Sequence, residues 1–243
     1  FAIVTAQKFG AGNREEVRKS FALSLVMGSV LSLILTVLGL LFLHPILRFL
    51  NVPDHLTGTA RQYIFIIIAG MLATFLYDTC AASLRALGDT VTPLVILAVS
   101  VTLNIAGDLF FILVVKAGVQ GAAVATVLSQ TLAFLICWFY MIRRYEILRL
   151  KKEDFFGLER NMMNMLSAGL SMGLVSSLVN LGTLALQTSI NRLGRDIIVA
   201  HTAARKITEM FMIMFGVFGQ TMAIFCGQNA GAGRMDRGRH GIG

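Results

Sequence analysis

The chain has 243 residues, of which 56% are hydrophobic and only 14% charged. Soluble domains carry about a quarter charged residues, so this composition excludes an ordinary soluble protein. The net charge of +8 is divided among several gaps between long apolar runs. This distribution argues against nucleic acid as a partner.

Six apolar runs are long enough to cross a bilayer, which takes about 20 residues of helix. Lipid offers no hydrogen-bond partners to the backbone, so each run is predicted to be a helix. The predicted fold class is therefore all-α, a polytopic membrane protein whose partner is the lipid bilayer. In chain order the runs are Phe21–Leu43, Gln62–Leu84, Val91–Val115, Gly118–Ile142, Leu166–Asn191 and Ile197–Cys226.

Basic residues are unequally divided between the two sides of the membrane. If successive gaps alternate between sides, most Lys and Arg residues fall on one side. The positive-inside rule makes that richer side cytoplasmic. The basic residues on the other side are Arg48, Arg61, Lys116, Arg192 and Arg195.

Motifs of enzymes and of metal or nucleotide sites are not found in the sequence. There is no phosphate-binding loop, no H-E-x-x-H and no G-x-S-x-G. Cys80, Cys137 and Cys226 lie in apolar runs without metal-ligand spacing. We therefore expect no enzyme activity, no cofactor and no structural metal.

An internal repeat links the beginning and the end of the chain. Residues 2–12 and 223–233 both read A-I-x-x-x-Q-x-x-G-A-G, and they are 221 residues apart, measured from Gln7 to Gln228. Six runs separate the copies, so both have the same orientation in the membrane. This predicts a parallel repeat and a parent protein of about 440 residues with twelve spans. The other marked positions of the repeat are Gly10, Gly12, Gly231 and Gly233.

The repeat also predicts the domain organisation. The chain begins and ends within repeat segments, so we interpret it as a fragment covering the end of span two to the end of span eight. Residues 1–142 are assigned to an amino-terminal lobe and residues 166–243 to the start of a carboxy-terminal lobe. Residues 143–165 are basic with interleaved apolar positions, which predicts a cytoplasmic amphipathic connector.

Asp108 is the leading candidate for a functional site inside the membrane, where a charged residue costs at least about 2.5 kcal/mol. Asn104 lies four residues earlier on the same helix face. Residues 116–118 form a short turn, so positions at equal depth pair Asp108 with Thr126. The same register pairs Asn104 with Gln130. These oxygens suit a proton or a hard cation such as Na⁺; the alternative is packing stabilised by interhelical hydrogen bonds.

Three more charged residues inside the runs are weaker candidates for a substrate cavity. Asp78 lies about two turns from Arg85 on the cytoplasmic side, where a snorkelling ion pair has a low cost. Arg205 and Glu209 are four residues apart, which suits a pair within one helix. The sequence leaves open whether these residues pair structurally or line a water-filled cavity.

Several segments together resemble a known transporter family. The segments are A-Q-K-F-G-A-G-N at 6–13, L-R-A-L-G-D-T at 84–90 before Pro93, L-N-I-A-G-D at 103–108, G-V-Q-G-A-A-V-A-T at 118–126 and Q-N-A-G-A-G at 228–233. In content and order they resemble the MATE family, the multidrug and toxic compound extrusion transporters.

The resemblance implies two six-helix lobes around a central cleft and cation-coupled antiport by alternating access. It implies Na⁺ or H⁺ as coupling ion, export of small organic or cationic compounds, and a monomer in the plasma (inner) membrane of a bacterium or archaeon. Asn104, Asp108 and Thr126 match the family's amino-lobe cation or proton site. Some members instead use a Glu in span seven, but residues 166–191 contain no acid, which favours the amino-lobe site.

Two other functions remain open from the sequence. A lipid-linked oligosaccharide flippase of the same broad superfamily predicts a basic cavity in which Arg205 and Lys206 take part. A membrane enzyme or a non-transporting receptor predicts catalytic or ligand-binding motifs outside this segment.

Overall fold

The computed structural model describes residues 2–49, 54–155, 159–190 and 194–241, and in these ranges the regular structure is entirely helical. The predicted all-α class is confirmed. The helices are α1 (Ala2–Gly10), α2 (Arg14–Leu41), α3 (Leu43–Phe49), α4 (Asp54–Ala69), α5 (Met71–Ala86), α6 (Val91–Leu109), α7 (Gly118–Arg144), α8 (Glu159–Ile190), α9 (Arg195–Gly231) and α10 (Met235–His240).

Five helices of the described chain are long and apolar enough to span a membrane, and a bent pair gives a sixth. The six predicted spans are thus all present as helices. The second was predicted as one uninterrupted helix, but α4 and α5 meet at Gly70 with a bend of 41°. A Cβ at Gly70 would lie 2.8 Å from a methyl carbon of Val127, so glycine lets α7 approach where the helix is kinked.

Residues 13–156 form one compact unit together with Ala2. Within it α7 packs against α4, α5 and α6, and α2 packs against α5. Cys80 and Cys137 are fully buried there. Their core neighbours include Val17, Phe21, Tyr77, Leu84 and Met141.

The segment that follows α7, which was predicted to be an amphipathic connector, is not a continuous helix between residues 145 and 155. It forms two 3₁₀ turns, Glu146–Leu148 and Lys152–Phe155, which pack against α2. Leu148 is fully buried, and the carboxylate of Asp154 pairs with Arg18. These contacts hold the segment against α2. The division of the chain at 142 and 165 stays a prediction.

The other unit comprises residues 3–12 and 157–243 with Phe1. Its helices α8 and α9 carry mostly exposed apolar faces. The two copies of the repeat have the same local structure: each helix ends before a glycine with positive φ, 72° at Gly12 and 71° at Gly233. Glycine adopts a positive φ more readily than other residues, which accounts for the glycine at both positions.

Candidate functional site

The candidate coupling residues lie on the α6–α7 hairpin of the unit formed by residues 13–156. The side-chain amide of Asn104 donates a hydrogen bond of 3.3 Å to the hydroxyl oxygen of Thr126. That hydroxyl in turn donates to the carbonyl of Ala122 at 3.0 Å. The structure therefore joins two of the predicted site residues across the helix interface.

The hairpin register predicted from the short turn is wrong. It paired Asp108 with Thr126 and Asn104 with Gln130, but Thr126 accepts its hydrogen bond from Asn104. Neither predicted pair forms a hydrogen bond between its side chains. Asn104 thus faces a position on α7 about four residues nearer the hairpin turn than expected, and Gly107 faces Ala125, about two residues nearer.

A π-helical turn contributes to this shift. Residues Phe110–Val114 form a π turn at the end of α6, with the amide of Val115 bonded to the carbonyl of Phe110 at 3.1 Å. A π turn holds more residues per unit of height than an α-helix. A given residue of α6 therefore lies closer to the turn in space than the α-helical rise predicts.

Asp108 lies one helical turn beyond Asn104, on the face of α6 that packs inward. Its side chain is half-buried, and its Oδ1 atom is buried without a hydrogen-bond partner among the described residues. A buried carboxylate oxygen without a partner costs about 1–3 kcal/mol or more. Protonation or a bound cation would remove that cost.

Gln130, the fourth predicted site residue, also has an unpartnered oxygen. Its Oε1 atom is buried, and no described residue donates to it. The residue lies four positions after Thr126, on the same face of α7. Asp108 and Gln130 therefore each carry a buried acceptor oxygen, but with Asn104 opposite Thr126 they lie about two helical turns apart along the hairpin and do not share one site.

Small residues bring α6 and α7 close together around these polar groups. A Cβ at Gly107 would lie 3.0 Å from the Cβ of Ala125. Ser100 donates to the carbonyl of Ser129 at 3.2 Å. This serine bond was not predicted from the sequence, although Ser100 lies four residues before Asn104 and continues the same polar stripe.

The end of the hairpin opposite its turn is held together by Asp89. Its carboxylate accepts hydrogen bonds from the backbone amide of Thr92 at 3.0 Å and from the Tyr145 hydroxyl at 2.9 Å. Burial would raise the pKa of Asp89, but these hydrogen bonds hold that pKa below its usual value. Burial and the hydrogen bond to Asp89 raise the pKa of Tyr145 to about 12. Asp89 thus links the start of α6 to the end of α7.

The weaker candidates for a substrate cavity lie outside the α6–α7 hairpin. Asp78 is exposed on α5 and forms no salt bridge with Arg85, so the snorkelling pair that the spacing allowed is not present. In the other unit, Arg205 donates from Nε to Glu209 at 2.8 Å, the pair within one helix that the spacing allowed. Lys206 lies 3.6 Å from the same carboxylate.

Comparison with known proteins gives a consistent set of relatives. Residues 1–110 match the family model MatE. The "Probable multidrug resistance protein YpnP" of Bacillus subtilis is 31% identical over 196 residues, covering 79% of this chain and 43% of YpnP. The "Probable multidrug resistance protein YoeA" of the same organism is 27% identical over 245 residues, covering 97% of this chain and 52% of YoeA.

A solved structure gives the same result for the fold. It is the outward-facing conformation of a multidrug resistance MATE family transporter of the MOP superfamily, with a TM-score of 0.91 and 20% identity. The match covers 98% of this chain and 53% of that structure. This chain spans about half the length of the curated relatives it matches. It is a multi-pass protein of the plasma membrane, and it belongs to the MATE family of transporters.

Proposed function

We propose that this chain belongs to a cation-coupled antiporter that exports small organic, drug-like or cationic compounds by alternating access. The observation that carries the proposal is the buried Oδ1 of Asp108, which has no hydrogen-bond partner among the described residues. A carboxylate in this position is costly inside a membrane unless an ion neutralises it. The naming of the relatives YoeA and YpnP as probable multidrug resistance proteins supports the proposed cargo.

The proposed coupling acts through the α6–α7 interface. A proton or a Na⁺ ion at Asp108 supplies the partner that the carboxylate lacks. The Asn104–Thr126 bond lies one turn away, so movement of either helix changes the surroundings of the ion. Coupling requires that the ion bind the two conformations of the transporter with different affinities. Ion release and substrate binding would then favour opposite conformations.

The experiment is efflux of a fluorescent cationic dye by the complete protein in membrane vesicles, with Na⁺ and pH gradients imposed separately. Asp108→Asn keeps the size of the side chain and removes the titratable charge. We expect efflux driven by either gradient to be lost. Unimpaired, ion-dependent efflux by Asp108→Asn would overturn the proposed role.

Asp78→Asn is the matched control, because it neutralises another acid of the spans whose side chain is exposed. We expect this variant to keep its ion dependence, with a changed preference among dyes if Asp78 lines the substrate path. A loss of ion dependence in Asp78→Asn equal to that in Asp108→Asn would place the coupling charge elsewhere.

The flippase alternative gains no support from the basic residues on which it depends. Glu209 lies within 2.8 Å of Arg205 and 3.6 Å of Lys206. One carboxylate therefore offsets part of the positive charge that would attract a lipid-linked phosphate. Because this positive charge is partly offset, an antiporter function is favoured over a flippase function.

A further inference from the structure

A basic cavity lies at the cytoplasmic end of the unit formed by residues 13–156. Its volume is about 270 Å³, and it lies between the start of α2 and the segment after α7. Four of its six lining residues are cationic and one is acidic. The lining residues are Arg14, Arg18, Glu146, Ile147, Arg149 and Lys151.

Two of the cationic side chains are held in place by other parts of the unit. The Nε of Arg18 donates to both carboxylate oxygens of Asp154, at 3.1 and 3.0 Å, and the Asp154 side chain is only 2% exposed. The Nε of Arg149 donates to the carbonyl of Ile142 at 2.8 Å. Groups fixed before a ligand arrives lose less entropy on binding. The cavity is therefore partly preorganised.

The remaining charge of the cavity is not neutralised. Arg14, Arg149 and Lys151 are exposed, and none of them forms a salt bridge with any residue that the structure describes. Glu146, the acidic lining residue, is exposed and forms no salt bridge in the described chain either. Arginine and lysine together suit a phosphate group, because arginine offers several donors in one plane and lysine adds a mobile charge.

We propose that this cavity binds the phosphate headgroup of an anionic phospholipid of the cytoplasmic leaflet. The cavity lies where α2 begins and α7 has just ended, at the end of the spans that the positive-inside rule makes cytoplasmic. The anionic lipids of that leaflet attract basic residues near its surface. Charge complementarity therefore favours a lipid headgroup as the occupant.

A second groove offers an apolar surface at the same end of α7. It has a volume of about 380 Å³ and is lined by Phe139, Tyr140, Arg143 and Arg144. The Phe139 side chain is 54% exposed. An aromatic surface below a basic rim suits the acyl chain and glycerol region of a lipid.

The test measures binding of phosphatidylglycerol to the complete protein in detergent, by native mass spectrometry and by the shift in its unfolding temperature. Phosphatidylcholine and inorganic phosphate are tested in parallel. The variant Arg14→Gln/Lys151→Gln removes two exposed cations that have no structural partner, so we expect it to fold normally. Arg61→Gln is the matched control, because it removes an exposed arginine near the opposite end of a span.

We expect phosphatidylglycerol to bind the unmodified protein and Arg61→Gln equally well. Affinity should fall about 5-fold for each removed cation, or about 25-fold for the double variant. Unchanged affinity of the double variant, measured on protein with a normal unfolding temperature in phosphatidylcholine, would overturn the proposal. Equal stabilisation by inorganic phosphate would also overturn it, because the site would then not select a lipid.

Discussion

Gly10 of α1 packs directly on the backbone of Gln228 in α9. A Cβ at Gly10 would lie 2.8 Å from the carbonyl carbon of Gln228 and 2.9 Å from its Cα. The reverse contact joins the equivalent residues of the repeat: a Cβ at Gly231 would lie 2.7 Å from the carbonyl carbon of Gln7 and 3.0 Å from its Cα. The two copies therefore meet through reciprocal contacts, as a local two-fold arrangement requires.

The first prediction concerns this contact. Gly231→Ala places a methyl group against the rigid backbone of Gln7, and overpacking of this kind typically costs about 1–3 kcal/mol. We expect the unfolding temperature of the complete protein in detergent to fall, and Gly10→Ala to have a similar effect.

Gly219→Ala is the control for that prediction. Gly219 lies in the same helix, but a Cβ there would meet no atom within 4 Å. Alanine is about 1 kcal/mol more favourable than glycine inside a helix, so this variant should be unchanged or slightly stabilised. Equal destabilisation of Gly219→Ala and Gly231→Ala would contradict close packing as the cause.

The second prediction concerns Thr126. Thr126→Val removes the hydroxyl that accepts from Asn104 while keeping the shape of the side chain. Interhelical hydrogen bonds in membranes contribute on average only about 0.6 kcal/mol, so stability should change little. Partners that orient an ion-binding group typically affect affinity 10-fold or more. The apparent affinity for the coupling ion in the efflux assay should therefore fall by about 10-fold.

Thr102→Val is its matched control. Thr102 is on the same hairpin, and its hydroxyl donates only to the carbonyl of Ala98 on its own helix. Its exposed side chain has no role across the α6–α7 interface. If both valine variants keep the ion affinity of the unmodified protein, the hydroxyl of Thr126 does not take part in coupling.

The third prediction concerns pH and the link between Asp89 and Tyr145. The pKa of Asp89 is lowered in the folded protein, so its stabilising contribution is present above the ordinary pKa of about 3.9 and is lost as pH falls through the lower value. The pKa of Tyr145 is raised to about 12. Its contribution is present below about pH 10 and is lost as pH rises towards 12.

Unfolding temperatures measured across pH separate these two contributions. Asp89→Asn should flatten the loss of stability below about pH 4. Tyr145→Phe removes the phenol, so it should flatten the loss above about pH 10. If both variants lose stability at acid and alkaline pH as the unmodified protein does, this hydrogen bond does not control the pH dependence of the unfolding temperature.

The sequence predicted the spans well, because membrane helices need long apolar runs and satisfy their backbone hydrogen bonds within each segment. It predicted the hairpin of α6 and α7 from the turn at 116–118 and the inward face shared by Asn104 and Asp108. It predicted the wrong partners across the hairpin. The π turn at Phe110–Val114, which contributes to the difference, leaves no clear mark in an apolar sequence.

No local pattern in the sequence predicts the long-range contacts. Arg18 and Asp154 are 136 residues apart in the chain, and each is unremarkable among neighbouring charges. The segment after α7 was predicted to be amphipathic from its composition. Its 3₁₀ turns form because Asp154 and Leu148 bind to α2, which the composition of the segment does not specify.

The amino-acid sequence alone determined the membrane class, the number of spans and the repeat, since each depends on local composition or on spacing along the chain. The tertiary structure decided which oxygen faces which across α6 and α7, how the repeat copies Gly10 and Gly231 meet their partners, and where the cationic cavity forms. These features depend on the rotation and relative height of packed helices. A single residue of extra backbone changes both, while the hydrophobic pattern stays the same.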